Sequence, residues 1–199
     1  MKWLIFFLGI LIVCFFAFQL FWRTTVSKIE SYPFQVLKEY EDISIRKYDA
    51  RLFLSVKMNS SQYETSSKKG FSILAGYIFG DNSKGEKIPM TSPVSISLED
   101  SMTMMFMIPK EFNQDDMPEP SRSDINIKKV KSKTAAAIRF GGWANSIKIE
   151  RYKNLLIQSL KKKGISHTNK FYFLGYNPPF EIINRKNEII VELNSHARF

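Results

Sequence analysis

Two runs of alternating apolar residues lie close together in this chain and are out of step. In the first, Ile43 and Ile45 sit at odd positions. In the second, Leu52, Leu54, Val56 and Met58 sit at even ones. Successive side chains on a strand point to opposite faces, so an unbroken strand cannot change phase. A bulge or bend is therefore expected within Lys47 to Arg51. Such a break lets a sheet curl, as barrels require.

The segments that follow say what covers the sheet. The polar residues Asn59-Ser60-Ser61 lead into an expected helix from about Gln62 to Phe79, with Phe71, Leu74, Ala75 and Ile78 on one stripe and Gly80 suited to the C′ position. Gly70 inside it costs about 1 kcal/mol against alanine, so it marks a break or a close approach. Two strands are expected next, Val94–Leu98 and Met102–Ile108, the second apolar on both faces. Lys110 to Asp124, with Pro118 and Pro120, reads as a linker. The plan then repeats. A strand region spans Ile125 to Phe140, and a helix runs from Ser146 as N-cap to Lys163 with Gly164 beyond. Strands at Phe171–Tyr176 and Glu188–Leu193 close the chain. The expected fold is α+β, two strand-helix-strand-strand halves forming a bent antiparallel sheet or distorted β-barrel with two packed helices.

A transmembrane helix is expected ahead of this domain. Trp3 to Trp22 carries no charge, has tryptophan at both ends, and is flanked by Lys2, Arg23 and Lys28. About twenty such residues suffice to span the hydrocarbon core. The end at Ala17-Phe18-Gln19-Leu20-Phe21-Trp22 is bulky for signal cleavage. The expected organisation is a membrane anchor over 1–23, a linker over 24–31 and a folded domain over 32–199, with a single-pass membrane localisation whose sidedness stays open.

Lys87-Ile88-Pro89-Met90-Thr91-Ser92-Pro93-Val94 is stiffened by two prolines and feeds a half-buried strand, as a groove wall or a plain strand entrance would. It resembles the "KI-x-MT-x-PV" signature of the SOUL heme-binding protein family. Further pieces resemble that family in order. They are Glu30–Leu37, Tyr40–Tyr48, Phe71–Asn82, Met104–Pro109, Tyr176-Asn177-Pro178-Pro179 and Arg185-Lys186-Asn187-Glu188. Together they span about Glu30 to Leu193. The resemblance implies a pseudo-twofold fold and non-covalent binding of heme or another tetrapyrrole in a groove beside the first helix. Phe71, Leu74, Ile78 and Met90 would form its apolar slot, and Lys68, Lys69 or Lys87 would meet the propionates. The resemblance does not require a dedicated axial ligand. Of the two histidines, His167, in a polar turn after the second helix, is the candidate for iron.

Catalytic groups are sparse. No HExxH, GxSxG, P-loop or CxxC pattern occurs, and Cys14 is the one cysteine, so no internal disulfide or thiolate metal site forms. Glu64, Glu188 and Asp81 are the carboxylates an enzyme acting on such a ligand would draw on, and nothing in the sequence pairs them. A domain binding a different apolar anionic small molecule is the other alternative. The net charge of +10 favours anionic partners. Lysines cluster at Lys128-Lys129-Val130-Lys131-Ser132-Lys133 and Lys161-Lys162-Lys163. Neither cluster has the interleaving of an RNA-binding sheet, so no nucleic acid is expected. Beside an anchor they would attract anionic lipid headgroups, or simply form a solvated face.

Overall fold

The structure is a computed structural model. It describes residues 3, 6–7, 9–11, 13–14, 29–60, 62–99, 101–178, 181 and 184–199. Residues 1–30 and Ser31–Phe199 are separate compact units. The expectation of a membrane anchor is overturned in the first. Among the described residues no helix is long and apolar enough to cross a membrane. A span needs about twenty apolar helical residues, and the described helical positions here fall only between Trp3 and Cys14. Gln19, Trp22, Arg23 and Lys28 lie outside the described residues. The single-pass localisation falls with the anchor, and the lipid-headgroup reading of the lysine clusters loses its premise.

The second unit is α+β. Its elements in chain order are β1 (Phe34–Glu39), β2 (Ser44–Tyr48), β3 (Arg51–Lys57), α1 (Tyr63–Ile78), β4 (Val94–Ser97), β5 (Thr103–Met107), β6 (Ile125–Val130), β7 (Lys133–Gly141), α2 (Ser146–Lys162), β8 (His167–Gly175) and β9 (Lys186–Leu193). All nine strands form one sheet in the order β1-β2-β7-β9-β8-β4-β5-β3-β6, and every neighbouring pair is antiparallel. Apart from β1 this order is a palindrome. β2-β7-β9-β8 mirrors β6-β3-β5-β4, and the halves join where β4 pairs with β8. The repeated strand-helix-strand-strand order read from the sequence is thus a real pseudo-twofold. Each half also includes a strand lent by the other.

The curl follows from two short links. Asp49-Ala50 joins β2, second from one edge, to β3, second from the other, and Lys131-Ser132 joins β6 to β7 in the same way. Laid flat, six strand spacings would separate each pair by about 29 Å. Three residue steps reach only about 11 Å. The sheet therefore bends until its edges approach. The phase change expected within Lys47 to Arg51 is there, as a link between opposite ends of the sheet rather than a bulge in one strand. Likewise the region Ile125 to Phe140 is two strands paired to different halves.

The two faces are packed differently. The outer face carries both helices. Leu74 and Ile78 of α1, Leu156 and Leu160 of α2, and Leu54, Met104, Phe106, Ala136, Ile189 and Val191 of the sheet form one buried cluster. Gly70 is a close approach: a Cβ there would lie 3.2 Å from Met104 Cβ and from Met58 Sδ. The inner face has its own cluster around Tyr32, Tyr48, Phe53, Met105, Met107, Leu174 and Ile190, with Ala135 and Ala137 as small members. Tyr32 packs on Tyr48 of one sheet end and Phe53 of the other, ring centroids 4.9 and 5.2 Å away.

The caps match the sequence except at α2. Gly80 has φ +114° after α1, and Gly164 has φ +67° after α2. The N-cap of α2 is Asn145, whose side chain accepts from Lys148 N at 2.8 Å, so Ser146 is the first helical residue. The stretch Lys110 to Asp124 is more than a linker. Met117 is buried against the core, and Tyr77 Oη donates to Pro118 O at 2.7 Å.

Candidate functional site

The signature segment is tied on several sides. Ile88 N donates to Ile78 O at 2.8 Å, at the end of α1. Tyr32 N donates to Ser92 O at 2.8 Å. Thr91 Oγ1 donates to Met107 O at 2.5 Å, so the threonine between the prolines fastens the segment to β5. The Ser92–Pro93 peptide is cis.

The residues read as a heme slot divide into two sets here. Leu74 and Ile78 are buried in the outer core. Phe71 and Met90 are half-buried at its margin, and Lys68, Lys69 and Lys87 are exposed. Phe71 stacks edge-on to Phe106 at 5.4 Å. The space bounded by Tyr77, Ile78, Ile88, Met90 and Phe106 measures about 10 Å³, roughly the room one water needs.

Larger cavities lie elsewhere. One of about 330 Å³ sits between Tyr63, Leu98, Met102, Ile149 and Lys153, near the N-termini of the two helices. Another, of about 360 Å³, takes one wall residue or more from each of β3 to β9, which only the inner face of the curl can supply. Its apolar walls are Tyr32, Phe53, Met105, Tyr172, Leu174 and Ile190. Its rim carries Lys128, Lys129, Lys131, Lys133 and Lys170 against the carboxylate of Glu192. The sequence flagged the lysine cluster without its aromatic partners, Tyr32, Phe53 and Tyr172, which come from three distant segments. The one available signal was the polar phase of the closing strand, Glu188 and Glu192 alternating about Ile190.

Two charge clusters occupy this inner face. Glu192 accepts from Lys133 Nζ at 3.0 Å and from Tyr172 Oη at 2.9 Å. Lys133 Nζ also lies 3.8 Å from the Tyr172 ring centre. Burial lowers the Lys133 pKa despite Glu192, and it raises that of Tyr172, whose neighbour Glu192 pushes the same way. Burial alone would raise the Glu192 carboxyl, but Lys133 and Tyr172 hold it below its ordinary value.

In the second cluster Glu188 accepts from Arg46 Nη1 at 2.9 Å and Nη2 at 3.2 Å, and from Tyr176 Oη at 2.7 Å. Lys186 Nζ lies 3.4 Å away. Burial opposes ionisation of Glu188, yet Arg46, Tyr176 and Lys186 together keep its pKa below the ordinary one. Tyr48, against Arg46, is pushed up to about 12, chiefly by burial.

The other carboxylates and histidines have plain positions. Glu64, in the first turn of α1, accepts from Ser146 N at 2.8 Å and Ser146 Oγ at 2.6 Å, so it caps α2. Asp81 is exposed. His167 begins β8 rather than lying in a turn, with Nδ1 2.6 Å from Thr168 O. No group of three or more His, Cys, Asp or Glu suited to a metal ion occurs among the described residues.

A curled pseudo-twofold sheet with helices outside and a cavity inside defines the class, a two-half α+β domain built around its own concavity. Comparison with known proteins narrows it. A family model for SOUL heme-binding protein matches residues 29–192. Heme-binding protein 2 of Mus musculus is 32% identical over 154 residues, 73% of this chain and 75% of its own. Heme-binding protein 1 of Sus scrofa is 28% identical over 173 residues, covering 81% of this chain and 91% of its own. The C-terminal domain of EcmrR has the same fold, with TM-score 0.60 and 11% identity over 81% of this chain and 98% of that one. This chain belongs to the SOUL heme-binding protein family.

Proposed function

We propose that this protein binds heme or a related tetrapyrrole non-covalently and does no chemistry on it. The observation that carries the reading is the family match, which runs through nearly all of the compact unit that begins at Ser31. The state of the carboxylates supports a binding role. Glu188 is fully engaged by Arg46 and Tyr176, and Glu64 is spent on a helix cap. Neither is placed as a free acid or base.

The ligand site is proposed at the exposed edge of α1. Lys68, Lys69 and Lys87 stand in solvent there as partners for two propionates. Phe71 and Met90 offer half-buried apolar contact over the floor made by Leu74 and Ile78. With about 10 Å³ free behind Met90, a macrocycle lies against this edge or displaces the Met90 side chain, a flexible group suited to moving. When bound, heme supplies a planar apolar face and two carboxylates; the chain supplies the cationic edge that orients them. The iron is left without a named protein ligand.

Hemin titration of the full chain, followed by Soret absorbance, tests this. A saturable one-to-one endpoint is expected, weakened in a Lys68→Glu/Lys69→Glu/Lys87→Glu variant. These positions are exposed, so the variant spares the core. A non-saturating rise, the same in wild type and variant, refutes heme binding. A sharp endpoint unchanged in the variant keeps heme and removes the α1 edge.

A further inference from the structure

We propose that the inner-face cavity is a second binding site, one for a compact aromatic organic anion. This inference stands independently of the heme reading. About 10 Å³ is left behind Met90 and about 330 Å³ stays open near the helix N-termini, while the inner face holds about 360 Å³. That is within the range of small-molecule sites. The space is not a shallow surface dent, because strands β3 to β9 all contribute to its wall. Two tyrosines and a phenylalanine, Tyr32, Tyr172 and Phe53, give flat apolar surface at little entropic cost.

The charge around it selects the sign of the ligand. Five lysines face one carboxylate, Glu192. That carboxylate already accepts from Lys133 and Tyr172, and Lys170 lies 3.7 Å from it. Its capacity for an incoming cation is therefore taken up. Lys133 is largely buried and committed to Glu192 and the Tyr172 ring. Lys128, Lys129 and Lys131 are exposed at the mouth and form the surplus. An aromatic anion seated among these walls satisfies both parts, because the surplus of lysines around the mouth makes the potential in the cavity positive. Ser95 adds a hydroxyl within the wall.

Tetraphenylborate and tetraphenylphosphonium separate charge from shape, being alike in form and opposite in sign. Calorimetric titration of each into the full chain is expected to show one borate site, at least about tenfold tighter than the phosphonium, as a difference of charge near several lysines requires. Lys131→Glu/Lys170→Glu, both exposed, should weaken borate binding by about tenfold or more. Lys161→Glu/Lys162→Glu, in the other basic cluster, should leave it unchanged. Equal or tighter phosphonium binding overturns the proposal. So does the absence of borate binding, or its loss in the Lys161/Lys162 variant. The Lys68/Lys69/Lys87 variant used with hemin should bind borate as wild type does, so the two readings fail separately.

Discussion

Arg46→Ala is expected to be among the most damaging single changes that leave the apolar core intact. Arg46 leans past Ser44, donating from Nε to Ser44 Oγ at 2.8 Å, and grips Glu188 with both Nη atoms. Side-chain exposure is 12% for the arginine and 1% for the glutamate, so the carboxylate has almost no water to fall back on. Breaking a buried pair by removing one partner costs about 3–5 kcal/mol. Tyr176 and Lys186 remain to hold Glu188, which points to the lower end, about 3 kcal/mol. With a urea m-value of about 2 kcal/mol/M, the midpoint should fall by about 1.5 M. Urea unfolding followed by tryptophan fluorescence measures it. The double change Arg46→Met/Glu188→Met should recover part of the loss, because it removes both members of the buried pair but takes Glu188 from Tyr176 and the partly exposed Lys186. The acid limb gives a second reading. Glu188 is held below its ordinary value of 4.5, so it adds stability that is present above that pH and lost as pH falls through the lowered value. Without Arg46, the largest influence holding the Glu188 pKa down is gone, so it rises toward the ordinary value and the variant should lose less stability on acidification than wild type. A midpoint shift under about 0.5 M, the scale of an exposed ion pair, with an unchanged acid limb, would refute the reasoning.

Two further outcomes follow from the helices. Gly70→Ala should gain about 1 kcal/mol in helix propensity but lose about 1–3 kcal/mol to crowding against Met104, so a stability gain in thermal unfolding would show that Met58 and Met104 yield freely. Asn145→Ala should cost about 1 kcal/mol through the lost cap on α2, read by urea unfolding; no loss would mean that Glu64 alone satisfies that helix end.

Much of the domain can be read from local pattern. Both helices, their glycine stops at Gly80 and Gly164, and the strands around Val94, Met104, Phe171 and Ile189 follow from periodicities of 3.6 and 2, which are set within a few residues. The phase break between Ile45 and Leu52 foretold a bent sheet for the same reason. The family signature at Lys87–Val94 pointed to the kinship that the comparisons establish. Less was legible where pairing is distant. β1 was missed because its edge position leaves Phe34, Val36 and Leu37 partly exposed, and an exposed strand has no face to enforce alternation. The split of Ile125 to Phe140 was missed because Lys131-Ser132 looks like any polar pair until β6 and β7 find partners in opposite halves. The proposed slot residues Leu74 and Ile78 show a limit of periodicity. It marks a buried stripe but cannot say whether protein or ligand covers it, and here the outer core does. The inner cavity needed the tertiary structure most. Tyr32, Phe53, Lys133, Tyr172 and Glu192 are spread over most of the domain, and only the curl forced by two short links turns them toward one space.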